Sequence, residues 1–128
     1  RLLAAQRGGI AGPVLVLRHR REESLVEWSR PAREIHDRVR ALSPRPGAYT
    51  FMRGRRLKIL RARPSHAQRA LGPGEISLGS GGELLVGTGD APLRLLELQP
   101  EGKRAMSAEE FIRGYRPLEG EKLGKAPR

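Results

Sequence analysis

Cysteine is absent from the 128 residues, which excludes disulfides, thiolate nucleophiles and cysteine-bound metals. Aromatic side chains are scarce, with one Trp, two Tyr and two Phe, so few are expected to be free for stacking on bases. Apolar runs stop at four residues, as at positions 14–17. That is far short of the roughly 20 residues a membrane helix needs. No secretory signal is visible, and a cytoplasmic protein without a membrane partner is expected. Acidic residues are scarce in one half only. Positions 1–63 carry sixteen Lys and Arg against five Asp and Glu, while positions 64–128 carry nine of each.

The formal net charge of +11 therefore belongs to the N-terminal half. Of the 25 basic residues 21 are Arg, which coding bias could explain; the one-sided shortage of acids it does not explain. Helix and hairpin patterns lie within this half, so a folded cationic face and a polyanionic partner, nucleic acid first, are expected.

The length suits one domain. Arg1 stands where an initiator Met would, and a segment of a longer protein or a processed form is expected. The glycine-rich positions 1–24 read as a linker with a short strand at 14–17, positions 25–116 as the folded domain, and positions 117–128 as a solvated tail. The clearest helix starts at Ser29, read as its N-cap, with Pro31 in the first turn. Ala32, Ile35, Val39 and Leu42 form its apolar stripe, and the prolines at 44 and 46 stop it. Strands follow at 48–52 and 55–63 around an Arg53-Gly54 turn, then at 74–78, 83–88 and 92–99. The apolar parity switches within 55–63 and again within 93–98, which predicts bulges or strong coiling of the kind that closes a small barrel. Ser107-Ala108-Glu109-Glu110 is a capping box opening a short helix ended by Gly114. The fold class expected is mainly β, barrel-like, with one amphipathic helix before the strands and a short closing helix.

Catalytic patterns are weak. His19, His36 and His66 are scattered, without metal-ligand spacing. Ser29, His36 and Asp37 are better read as a helix cap and exposed helix positions. Gly79-Ser80-Gly81-Gly82 opens no helix and lacks a following Gly-Lys-Ser, so it reads as a hairpin loop. Neither a catalytic nor a metal site is expected in this segment.

Binding patterns are stronger. Arg53, Arg55, Arg56, Lys58, Arg61 and Arg63 crowd one hairpin and offer cations on both its faces, spaced to meet nucleotide phosphates. The alternative is an edge hairpin kept soluble by charge. With Trp28, Tyr49, Phe51, Phe111 and Tyr115 all assigned to the core, recognition of the backbone or shape of structured RNA is expected.

Three stretches, in this order and spacing, resemble the C-terminal domain of methionyl-tRNA formyltransferase. They are Trp28-Ser29-Arg30-Pro31-Ala32-Arg33-Glu34-Ile35-His36, then Arg40-Ala41-Leu42-Ser43-Pro44-Arg45-Pro46-Gly47-Ala48-Tyr49-Thr50, and Leu98-Gln99-Pro100-Glu101-Gly102-Lys103-Arg104-Ala105-Met106-Ser107 with Phe111 and Gly114. The likeness covers positions from about 28 to 118, and Arg45 stands where family members often carry Trp. It implies a small open barrel of the OB type, joined in the full enzyme to an N-terminal Rossmann-like catalytic domain. It also implies initiator methionyl-tRNA as partner and 10-formyltetrahydrofolate as the full enzyme's formyl donor, with no cofactor in this segment. The phosphate contacts expected are Arg38, Arg40, Arg45, Arg53, Arg55, Arg56, Lys58 and Lys103. Two alternatives stand beside this reading: the equivalent module of a nucleotide-sugar formyltransferase, and a free-standing RNA-binding barrel.

Overall fold

A computed structural model describes residues 24–79 and 81–124; the strand expected at 14–17 lies outside them. One mainly-β sheet carries two helices. Its strands are β1 (Ser24–Leu25), β2 (Ala48–Met52), β3 (Arg55–Pro64), β4 (Ile76–Leu78), β5 (Leu84–Val86), β6 (Leu93–Pro100) and β7 (Met106–Ser107), and its helices are α1 (Ala32–Leu42) and α2 (Ala108–Tyr115). The hydrogen-bonded order is β1-β2-β3-β6-β5-β4, with β7 beside β6. Among the described residues this path does not close into a barrel.

β1 runs parallel to β2, so α1 serves as the crossover that a parallel pair requires. Ala32, Ile35 and Val39 bury the predicted stripe in the core, and Leu42 packs at its margin. Ser29 is not the cap. The N-cap is Pro31, whose side chain can accept nothing. The Ala32 N–H instead donates to Asp90 Oδ1 at 2.8 Å, so a carboxylate 58 residues away does the capping. It sits where the helix dipole favours negative charge. The N–H groups of Ala32 and Ala91 and the Thr88 hydroxyl donate to the Asp90 carboxylate, and the backbone donors, Ala32 first, keep its carboxyl below the ordinary 3.8.

The β2–β3 hairpin turns on Arg53 and Gly54, with φ of 53° and 80° and Met52 paired to Arg55. Two positive-φ residues in a two-residue loop give the primed turn that suits strand twist. The predicted parity switches are bulges. Between β3 and β6 the register slips at Ile59/Arg61 and again at Arg61/Ala62, which leaves Leu60 as the extra residue of β3 and Leu96 as that of β6. The two offsets cancel, so the same sheet continues beyond them with its buried faces exchanged.

Two terminal expectations change. The capping box is present, with Glu110 N–H on Ser107 Oγ at 3.1 Å and Ser107 N–H on Glu110 Oε1 at 2.9 Å. However, α2 runs past Gly114 to Tyr115 and is capped by Arg116 in the left-handed region. The following Pro117 cannot prolong it. Residues 117–124 are not a solvated tail. Leu123 is buried, and Ile76 N–H donates to Glu121 O, Gly120 N–H to Ile76 O, Leu123 N–H to Gly74 O and Gly124 N–H to Phe51 O. The segment thus spans the gap between the β4 edge and β2. An open sheet leaves backbone donors and acceptors unpaired at its edges, and this return pairs those of Gly74, Ile76 and Phe51.

Candidate nucleic-acid interface

Register decides which face of the sheet can meet a ligand. Ala48, Thr50 and Met52 of β2 point inward and are buried. Trp28 lies over them and donates its indole N–H to Thr50 Oγ1 at 3.0 Å, which satisfies the buried hydroxyl. Tyr49 and Phe51 therefore turn outward, half-buried, edge to face at 5.7 Å between centroids. Pairing sets Lys58 opposite Tyr49 and Arg56 opposite Phe51, with Gln99 beyond Lys58. The Arg56 guanidinium lies 4.1 Å from the Tyr49 ring centroid, a cation–π contact.

Two concavities adjoin here. One of about 240 Å³ lies between the hairpin turn, the Pro100–Lys103 turn and α2, and its lining includes Arg53, Arg55, Arg56 and Lys103. A second of about 200 Å³ lies over the outer face and includes Tyr49, Arg56, Lys58 and Lys103. They share Arg56, Pro100, Glu101 and Lys103. The Pro100–Lys103 turn is tied to the hairpin because Glu101 N–H donates to Arg56 O and Arg56 N–H donates to Glu101 Oε1, each at 3.0 Å. Two segments 45 residues apart thus hold their cations on one rim.

Of the eight cations expected at phosphates, the fold brings five to this rim: Arg53, Arg55, Arg56, Lys58 and Lys103. Arg53 is also committed inside the molecule. Its Nε and Nη2 donate to the Glu121 carboxylate at 2.7 and 3.0 Å, and Nη1 and Nη2 to the carbonyls of Tyr115 and Arg116 at 2.9 and 3.3 Å. This pairing, foremost the bond to Arg53, holds the Glu121 carboxyl below its ordinary 4.5. Arg38 lies elsewhere, donating to Ser24 Oγ at 3.1 Å beside a concavity that also contains Glu27 and Glu34. Arg40 is exposed on α1, which packs on the inward face of the sheet, so it faces away from Arg56 and Lys58. Arg45 is exposed in the turn before β2, which contains the cis Ser43–Pro44 and Arg45–Pro46 bonds. The sequence reading missed the outward aromatics Tyr49 and Phe51, which it assigned to the core; Tyr115, partly exposed, does pack against the core.

Among the described residues, no group of three or more His, Cys, Asp or Glu is placed to hold a metal ion. No helix there is long and apolar enough to cross a membrane.

Comparison with known proteins fits this architecture. The chain is 44% identical over 103 residues to methionyl-tRNA formyltransferase of Carboxydothermus hydrogenoformans, covering 80% of this chain and 33% of that protein. It is 42% identical over 106 residues to the enzyme of the same name from Solibacter usitatus, covering 83% and 33%. It thus spans about a third of the length of these curated relatives. Among solved structures, HypX from Aquifex aeolicus in complex with tetrahydrofolic acid shares the fold, with a TM-score of 0.57 and 18% identity over 87% of this chain and 21% of that one. A HypX variant gives 0.59 and 16% over 94% and 23%. The family model described as "Formyl transferase, C-terminal domain" matches residues 18–116, and with these relatives it establishes that the chain belongs to the formyltransferase C-terminal domain family.

Proposed function

We propose that this chain is the tRNA-binding domain of a methionyl-tRNA formyltransferase. In this reading it holds initiator methionyl-tRNA in the cytoplasm while an N-terminal catalytic domain of the same enzyme moves the formyl group from 10-formyltetrahydrofolate to the methionine amino group. The observation that carries the reading is the shared rim, where Arg55, Arg56 and Lys58 from one hairpin meet Lys103 from a distant turn. Cations fixed in this way on a rigid sheet suit phosphates spaced along an RNA backbone. The names of the curated relatives support the choice of tRNA, and the tetrahydrofolate bound to HypX supports a folate donor for the full enzyme.

The test is tRNA binding by the 128-residue chain across a salt series. Affinity should fall steeply, each neutralised phosphate adding about 0.7–0.9 to the log–log slope. The double variant Arg55→Gln/Lys103→Gln removes two exposed cations from the rim and should flatten that slope by about 1.4–1.8, with thermal unfolding nearly unchanged. An affinity indifferent to salt, or a slope the same in variant and parent, defeats the proposal. Formyl transfer by the purified chain alone would equally defeat the assigned division of labour.

A further inference from the structure

The cavity between the hairpin turn and α2 has a composition that phosphate binding does not call for. Its floor is apolar: Met52, Leu57 and Phe111 are almost fully buried beneath it. Tyr115 forms a wall, held by stacking on Phe111 at 4.8 Å and 14°. Arg55 and Lys103 are exposed at the mouth. A backbone phosphate needs only the cations. An apolar floor beside an aromatic ring, in about 240 Å³, suits one flat heterocycle, and the cations at the mouth suit the phosphate attached to it.

We infer that this cavity receives a single unstacked ribonucleotide, its base against Met52, Leu57 and Tyr115 and its phosphate between Arg55 and Lys103. The inference rests on the RNA-binding reading and adds to it a preference for RNA with an unpaired nucleotide. A base inside a duplex is stacked on both sides and cannot enter; a terminal or extruded one can. Glu101, which also lines the cavity, has Oε1 occupied by the Arg56 N–H, so its carboxylate is fixed by the fold.

The test uses the full 128-residue chain, with the Met52 methyl and Tyr115 ring followed by NMR. Adenosine monophosphate should shift both signals, and inorganic phosphate at equal ionic strength should shift neither. In parallel, an RNA hairpin carrying one unpaired 3′ nucleotide should bind about fivefold or more tightly than its blunt counterpart, the lower range of base–aromatic stacking. Tyr115→Leu should abolish that difference. If that variant fails to fold, 2-aminopurine as the unpaired nucleotide gives the same answer with the parent chain, through a change in its emission on binding. Equal binding of the two hairpins with unmoved Met52 and Tyr115 signals overturns the inference and leaves the RNA-binding reading intact. Failure of both hairpins and of tRNA to bind overturns both.

Discussion

Arg53 lies within the most basic hairpin of the chain, yet its replacement should damage folding more than RNA binding. Its guanidinium makes four hydrogen bonds, two to Glu121 and two to carbonyls at the end of α2. Those carbonyls are helix-end acceptors without an intrahelical partner, and Glu121 belongs to the segment that spans the open sheet. Fully buried charge-assisted bonds contribute about 1.5–3 kcal/mol each, whereas exposed ion pairs contribute about 0–1. The Arg53 side chain is 46% exposed and that of Glu121 16%, so solvent screening discounts the set strongly. Arg53→Ala should cost roughly 1–2 kcal/mol, each kcal/mol lowering Tm by about 4–8 °C in a domain this size. A backbone contribution can be separated from it. Arg53 has φ of 53°, a conformation costing an L-residue about 1–2 kcal/mol, so Arg53→Gly should be milder than Arg53→Ala by about 1 kcal/mol. Urea denaturation followed by Trp28 fluorescence, with Glu121→Gln completing a double-mutant cycle, reads both effects. Additivity within about 0.3 kcal/mol would refute the assigned coupling, and so would Gly and Ala variants of equal stability. The salt slope of tRNA binding should barely change.

The carboxyls of Asp90, Glu119 and Glu121 sit below their ordinary values, through backbone N–H donors for Asp90 and Glu119 and through Arg53 for Glu121. Depressed folded values give stability that is fully present above the ordinary 3.8–4.5 and is lost as pH falls through the folded values. Tm should therefore decline below about pH 4.5, and equal Tm at pH 3 and pH 6 would contradict this. Asp90→Ala should lower Tm and helical circular dichroism, while Asp90→Asn, which keeps an acceptor oxygen for the Ala32 N–H, should do less harm. Gly87→Ala would place a methyl 2.1 Å from the Gly72 carbonyl oxygen, where only backbone movement gives relief. A loss of about 1–3 kcal/mol in chemical denaturation is expected, and wild-type stability would show that the close approach is absent.

The parts of the fold legible in the sequence are those whose cause is local. The α1 stripe follows helical spacing, the capping box lies within four residues, and the Arg53-Gly54 turn needs only its two positive φ angles. Even the bulges left a trace, because an extra residue at Leu60 and another at Leu96 exchange the buried face of each strand. What was not legible depends on distant partners. The cap of α1 comes from Asp90, for which no spacing rule exists. β1 is two residues long and gains its identity only from pairing with β2 across the α1 crossover. The return segment reads as charge and glycine, yet Glu119 reaches Ser77 Oγ at 2.7 Å and Leu78 N–H at 2.9 Å, 42 and 41 residues away.

The candidate site was legible in its charge and misread in its aromatics, and one piece of information resolves both. A core this small reads as needing all five aromatic residues of the chain, which puts Tyr49 and Phe51 inside. A two-residue hairpin loop fixes register, and register pairs Tyr49 with Lys58 and Phe51 with Arg56. Directly paired residues project from the same face of a sheet, and a buried Lys58–Arg56 row would need counter-charges that the parity of neighbouring strands does not supply. The cations therefore drive the aromatics outward, and the inward face is left to Ala48, Thr50 and Met52, small enough for Trp28 to cover. Charge alone could not reveal that Arg53 is bound to Glu121, 68 residues on. Basic residues on one hairpin thus divide by neighbour: Arg53 faces a carboxylate and braces the fold, while Arg55, exposed and paired with Met52, lines the cavity together with Lys103.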